Sequence, residues 1–374
     1  MLRTAFALAC GIAAGAAFAA QRGTDAAAPV QPHAVLNAIG GLSPADLSAL
    51  DTGAAVARVI ETDRRQVAVV GAVRVRAPRE AIVARYRDIS HLAASDVVLQ
   101  VGAFSDPPRS ADVSALLFER YDLDSIRDCR PGDCRVRIST RMAAMFQRDV
   151  NWRAADWRDQ VARLWRQALA DYAAEYRTHG AEALPEYHNK EQRLRVRDEF
   201  DVLFRASEPI AWIAPEFIEY LRADPRRPLP GTDDILYWSK DDFGVRPVVS
   251  LTHLTTYLPP GSRNGFIATR QVYATHYMDA GLGLTLILGD GEGGSCLVSV
   301  NRVRTRSLTS FFRGFVRTTV QNRSRDGLEK TLRSVKTALE RWRAASTSGA
   351  TRHAVWIRPP EYRRIPWQTT AGRR

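Results

Sequence analysis

Between Val248 and Arg304, strand-forming runs alternate with turn-forming clusters so densely that an antiparallel sheet is the natural outcome. The runs are VVSLTHLTTYL, FIATRQVYATHYM and GLTLILGDGEGGSCLVSVNRVRTR, rich in β-branched and aromatic residues. PPGSRNG separates the first two, and a Gly-rich loop interrupts the third. Such residues favour a pleated, half-buried backbone, whereas Gly, Pro, Asn and Asp supply the conformations that reverse it.

The flanking sequence extends this plan. Gln66–Arg76 (QVAVVGAVRVR) reads as a further strand, and Pro78 suits the first turn of a helix, where its missing N–H is not needed. Ile82, Val83, Tyr86 and Ile89 carry that helix up to His91, and strand-like runs follow at Val97–Phe104, Val113–Leu123 and Cys134–Ser139. From Arg141 to Asp224 the apolar period changes from two to 3.6. Trp157, Val161, Leu164, Trp165, Ala168, Leu169, Tyr172 and Tyr176 form one helical stripe, read as core and stopped at Gly180. Further helices are predicted over Lys190–Ala206 and Pro215–Leu221, before a Pro-rich loop at 224–231. A long last helix spans 308–342: Leu328, Leu332, Val335, Leu339 and Trp342 make its buried face, opposite Arg325, Glu329, Arg333, Lys336 and Arg343. The expected class is α+β, a curved antiparallel sheet around a long C-terminal helix with a helical insertion over 141–224.

Address and charge bound the function. Arg3, the apolar stretch Ala5–Ala17 and Ala17-Phe18-Ala19 have the layout of a secretory signal over residues 1–20. Ala7-Leu8-Ala9-Cys10 is a weaker lipoprotein alternative. The expected organisation is then a tether with a short helix beginning at Ser43 (21–60), one domain (61–343) and a basic, non-periodic tail (344–374). No later stretch reaches the roughly 18 consecutive apolar residues of a membrane span, so an exported, periplasmic protein is expected. The net charge of +12 comes almost wholly from arginine and favours anionic partners. Export argues against nucleic acid and leaves an anionic membrane surface as a candidate. One source of such binding is the mixed run Arg302, Arg304, Arg306, Arg313 and Arg317 with Phe311, Phe312 and Phe315. In an oxidising compartment Cys129 and Cys134, which bracket a Pro-Gly turn, are expected to form a disulfide, and Cys296 to be a buried small apolar residue.

Chemistry is sparser. Gly289–Gly294 matches G-x-G-x-x-G, but a strand follows it rather than a helix, and Asp290 and Glu292 would repel a phosphate, so it reads as a hairpin loop. No H-E-x-x-H, G-x-S-x-G or Walker sequence occurs, and no cofactor or metal is expected. Tyr273, His276 and Tyr277, with Asp279 close by, are the most loaded cluster, and His253 shares one strand face with Val249, Leu251, Thr255 and Tyr257. These side chains could be satisfied structural residues, contacts to the polar end of an apolar ligand, or an acid–base pair working near neutral pH. Trp238, Lys240 and Asn301 are further candidate contacts, to an anionic headgroup, against the plainer reading of solvated surface.

Two stretches carry a resemblance. Val69-Val70-Gly71-Ala72-Val73-Arg74-Val75-Arg76-Ala77-Pro78-Arg79-Glu80, at a strand–helix junction, and Leu328–Leu339, in the closing helix, resemble the START-like, or SRPBCC, superfamily over residues 60–343. The chain is also similar to exported bacterial proteins that share the Tyr237–Lys240 and Tyr273–Tyr277 neighbourhoods. The superfamily resemblance implies a helix-grip fold around an apolar cavity. It also implies binding of a lipid or other apolar small molecule, with an enzyme of cyclase or hydrolase type as the alternative. A third reading is an envelope interaction protein using its basic surface. The expected ligand contacts are His253, Tyr273, His276, Tyr277, Trp238, Lys240 and Asn301, in a cavity made by the sheet and last helix and roofed by the 141–224 block.

Overall fold

A computed structural model describes residues 30–130, 133–189, 192–222, 228–306 and 313–347. The expected secretory signal, the tail beyond 347, Phe311 and Phe312 lie outside those residues, as do the side chains of Phe315 and Trp342. The strands are β1 (Val56–Ile60), β2 (Gln66–Val75), β3 (Val98–Ala103), a small separate hairpin of β4 (Glu186–Asn189) and β5 (Gln192–Arg195), then β6 (Thr232–Asp242), β7 (Pro247–Tyr257), β8 (Gly265–Ala274), β9 (Ala280–Gly289) and β10 (Ser295–Arg304). All but β4 and β5 join one curved antiparallel sheet in the order β1-β2-β10-β9-β8-β7-β6-β3. The last five strands are therefore the 248–304 stretch and its immediate predecessor, laid side by side by short turns. Asp290, which accepts the amides of Glu292 and Gly294, closes the β9–β10 hairpin that the Gly-rich sequence marks.

Both faces of the sheet are covered, which explains why β2 is apolar almost throughout rather than alternating. One face carries α10 (Arg313–Thr347) together with α3 (Arg79–Arg87), reached from β2 by Ala77-Pro78. Leu328, Leu332, Val335 and Leu339 of α10 are buried against Val69, Val73 and Leu297. Each such leucine contributes about 2 kcal/mol of apolar burial. The close approach depends on Gly71, where a Cβ would stand 2.8 Å from Leu332 Cδ1. Cationic side chains then fasten the helix to backbone carbonyls: Lys336 Nζ donates to Gly53 O at 2.7 Å, and Arg317 Nη1 to Asp63 O at 2.9 Å. The result is a helix-grip-like arrangement.

The opposite face carries the helical insertion. Its helices are α5 (Thr140–Asp149), α6 (Trp157–His179), α7 (Val196–Arg205), the single turn α8 (Glu208–Ala211) and α9 (Pro215–Arg222), preceded by α4 (Arg120–Asp128). The α6 stripe forms as its periodicity predicts: Trp157, Val161, Trp165, Leu169 and Tyr176 are buried, and Gly180 takes a positive φ of 55° where the helix stops. The sheet thus stands between α10 and the insertion, so the insertion does not roof a space beneath α10.

Three predicted elements differ. Val113–Leu123 and Cys134–Ser139 are not strands. The first gives a short turn, an irregular stretch and the start of α4, and the second is irregular. Their apolar residues Leu116, Val136 and Ile138 are buried in the insertion core, a short apolar run being equally consistent with either outcome. The helix expected from Lys190, a residue outside the described ones, begins at Val196, directly after β5 of the β4–β5 hairpin. Residues 32–60 supply more than a tether: α1 (Pro32–Ile39) buries Val35 and Leu36, α2 (Pro44–Asp51) is closed by a Ser43–Asp46 capping box, and β1 forms one sheet edge. Cys129 and Cys134 are disulfide-bonded, and Cys296 is free and buried.

Candidate functional site

Period-two alternation brings three polar side chains together on the insertion face of the sheet. Leu236 of β6 pairs in register with His253 of β7, which pairs in turn with Arg270 of β8, and Asp234 lies two residues before Leu236. Above them, Gly180 ends α6 just after Tyr176 and Arg177, and α9 supplies Tyr220. These eight residues line a cleft of about 160 Å³. That volume compares with the roughly 150 Å³ of a cavity that admits benzene.

Its hydrogen bonds fix the protonation state of the histidine. Arg270 Nη2 lies 2.7 Å from His253 Nδ1, and a guanidinium can only donate. Nδ1 must therefore present its lone pair, which leaves the proton on Nε2, 2.7 Å from Asp234 Oδ1. The Tyr176 hydroxyl approaches Nδ1 at 3.1 Å. Burial, then the Arg270 charge, lower the His253 pKa and outweigh the raising effect of Asp234. Burial opposes ionisation of Asp234 too, but hydrogen bonds from His253, Thr255 and Tyr220 hold its carboxyl well below the usual range. Thr255 Oγ1 donates to Asp234 Oδ1 at 2.6 Å and Tyr220 to Oδ2 at 2.5 Å. Burial and the Asp234 charge push the Tyr220 hydroxyl up to about 12.

The cleft is thus lined by a neutral imidazole, a carboxylate with both oxygens engaged, and two cations. Arg270 is anchored by Nη1 on Leu221 O at 2.7 Å, and its buried Nε has no partner. Arg177 pairs with the exposed Asp106 through one nitrogen. The remaining walls are the Tyr176 and Tyr220 rings, Leu236 and Gly180.

Of the seven predicted contacts, only His253 lines this cleft. Tyr273 lies deeper on the same face, donating to Arg137 O at 3.0 Å, with Trp165 Nε1 at 3.4 Å. His276 is buried and paired with Asp122, its Nε2 2.9 Å from Oδ1. Tyr277, at a positive φ of 60°, occupies the turn between β8 and β9. Trp238 donates to Asp112 O at 2.9 Å and covers Gly102, where a Cβ would come within 2.7 Å of the indole. Lys240 Nζ donates to Leu117 O at 2.8 Å and pairs with Glu119 at 2.7 Å. Asn301 is on the other sheet face, near Gly283 and Thr269.

Asp234, Arg270, Arg177 and Tyr220 are absent from the predicted set. Asp234 and Arg270 nevertheless carry a sequence signal, as charged residues on strand faces that otherwise hold Leu236 and Trp238, or Phe266, Ala268 and Val272. Among the described residues no group of three or more His, Cys, Asp or Glu is placed to hold a metal ion, and no helix is long and apolar enough to cross a membrane. Comparison with protein-family models, with curated proteins and with solved structures gives no match for this chain.

Proposed function

We propose that the protein is an exported START-like binding protein that holds a small organic acid, about one ring in size, in the cleft over His253. The observation that carries this reading is the cleft lining itself: two guanidiniums, one engaged carboxylate and a neutral imidazole beside two tyrosine rings. Its free polar capacity consists mainly of N–H donors, which suit a carboxylate or phenolate, while the rings and Leu236 suit an apolar body. The volume fits one ring rather than a whole acyl lipid, which narrows the apolar ligand expected from the superfamily resemblance.

The same hydrogen bonds favour binding over acid–base catalysis. With Arg270 on one ring nitrogen and Asp234 on the other, His253 has no free lone pair with which to take a proton from a substrate. Calorimetric titration with benzoate, benzamide and benzylammonium tests the reading. Benzoate should bind and benzylammonium should not, and Arg177→Gln should weaken benzoate roughly tenfold, the worth of one charged hydrogen bond. Equal binding of all three probes, or of none, contradicts it.

A further inference from the structure

Eight large apolar side chains are exposed among the described residues, and seven of them sit at one corner of the molecule: Val97, Leu99, Leu117, Tyr121, Phe243, Val245 and Val320. Scattered exposed leucines and valines are ordinary, whereas a contiguous set calls for a partner. Hydrogen bonds place the segments that carry these residues side by side. The Asp242 amide donates to Val97 O at 2.8 Å, placing the start of β3 beside the β6–β7 hairpin. Arg323 Nη1 donates to Phe243 O at 3.2 Å, which brings the flank of α10 alongside, with Val320 one turn away on that flank. Leu117 joins through its amide on Gln100 Oε1 at 2.9 Å, next to Leu99, and Tyr121 through the Arg246 guanidinium 3.7 Å over its ring.

We infer that this corner docks onto an anionic phospholipid surface. Its most prominent part is a hairpin tip, Phe243-Gly244-Val245-Arg246, with Val245 72% exposed. A protruding tip suits shallow insertion among headgroups better than it suits a flat protein interface. Arg246 closes the tip, lying over the Tyr121 ring with the Asp122 charge nearby, and Arg323 flanks it, donating to Phe243 O. Of the acids around the corner, Asp96 and Glu119 pair with Lys330 and Lys240, Asp122 pairs with His276, and Asp242, at the base of the tip, accepts the Gly244 amide. The corner therefore presents apolar groups with two arginines at their edge, a set complementary to phosphate, in a chain of net charge +12. The inference is independent of the ligand cleft, which lies on the insertion face of the sheet.

Co-sedimentation of the full chain with vesicles of phosphatidylcholine alone, or with an equal part of phosphatidylglycerol, tests this. The chain should bind the anionic vesicles, and added salt should weaken binding. The double variant Arg246→Gln/Arg323→Gln should bind roughly thirtyfold more weakly, two surface cations being removed. Phe243→Asp/Val245→Asp should abolish binding with thermal stability kept, since both side chains are solvent-exposed. Three results would overturn the inference: no binding to anionic vesicles, binding that neither variant alters, or concentration-dependent self-association of the wild type that the tip variant abolishes. The last would make the corner an interface between copies of the chain.

Discussion

The guanidinium of Arg270 donates to His253 Nδ1 at 2.7 Å, so the imidazole lies between a cation on one side and Asp234 on the other. Its pKa is lowered below the ordinary value of 6.5, and the direction fixes a pH effect. As pH falls below 6.5 the unfolded chain takes up this proton first, so stability present above 6.5 is lost towards acid. Chemical denaturation between pH 5 and 8 checks this: His253→Gln should flatten that decline. At pH 7.5 the variant should also lose about 1–3 kcal/mol, because groups that faced the imidazole lose their partner. An unchanged slope would mean that His253 titrates normally.

Asp241 should act with the opposite sign. Burial against a single side-chain donor, Ser239 Oγ at 2.7 Å, raises its pKa from 3.8 to about 6. The folded state then holds the proton more tightly, so its contribution is complete below 3.8 and is lost as pH rises through 6. Asp241→Asn should match the wild type at pH 4 and exceed it at pH 7.5 by roughly 2–3 kcal/mol, the worth of a shift of that size. Urea unfolding at the two pH values separates this from a uniform effect of the substitution.

Docking of α10 rests on the absence of a side chain at residue 71. Gly71→Val would drive branched carbons into Leu332 and the Val56 carbonyl, both 2.8 Å from the position of a Cβ. The expected cost is about 1–3 kcal/mol, typical of overpacking. The substitution should also speed amide exchange along 328–339 more than along β8 and β9. Equal acceleration everywhere would mean that α10 is not separately dependent on this contact.

How much of this was legible in the sequence depends on range. The strands from Val248 to Arg304, the α6 stripe, the α10 heptad-like face and the Cys129–Cys134 pair are each written in local spacing, and each forms. Val113–Leu123 shows the limit: its apolar residues serve a helical core rather than a sheet, and a short run carries no period to distinguish them. The site was harder. Loaded residue types pointed to His276, Lys240 and Trp238, but each is satisfied by a distant partner, Asp122, Leu117 or Asp112, that only the fold supplies. Arg270 and Asp234 become a site through cross-strand register with His253 and Thr255, a relation among three strands that no single stretch contains.

The ligand reading stands or falls on where a small acid sits. The most direct measurement is isotope-edited NMR of the protein with saturating benzoate, reading intermolecular NOEs from the benzoate ring. The expected result is contacts to the ring protons of Tyr176 and Tyr220 and the methyls of Leu236, weakened in Arg177→Gln. NOEs confined to other residues, or none at saturation, would contradict the proposal that this cleft is the binding site.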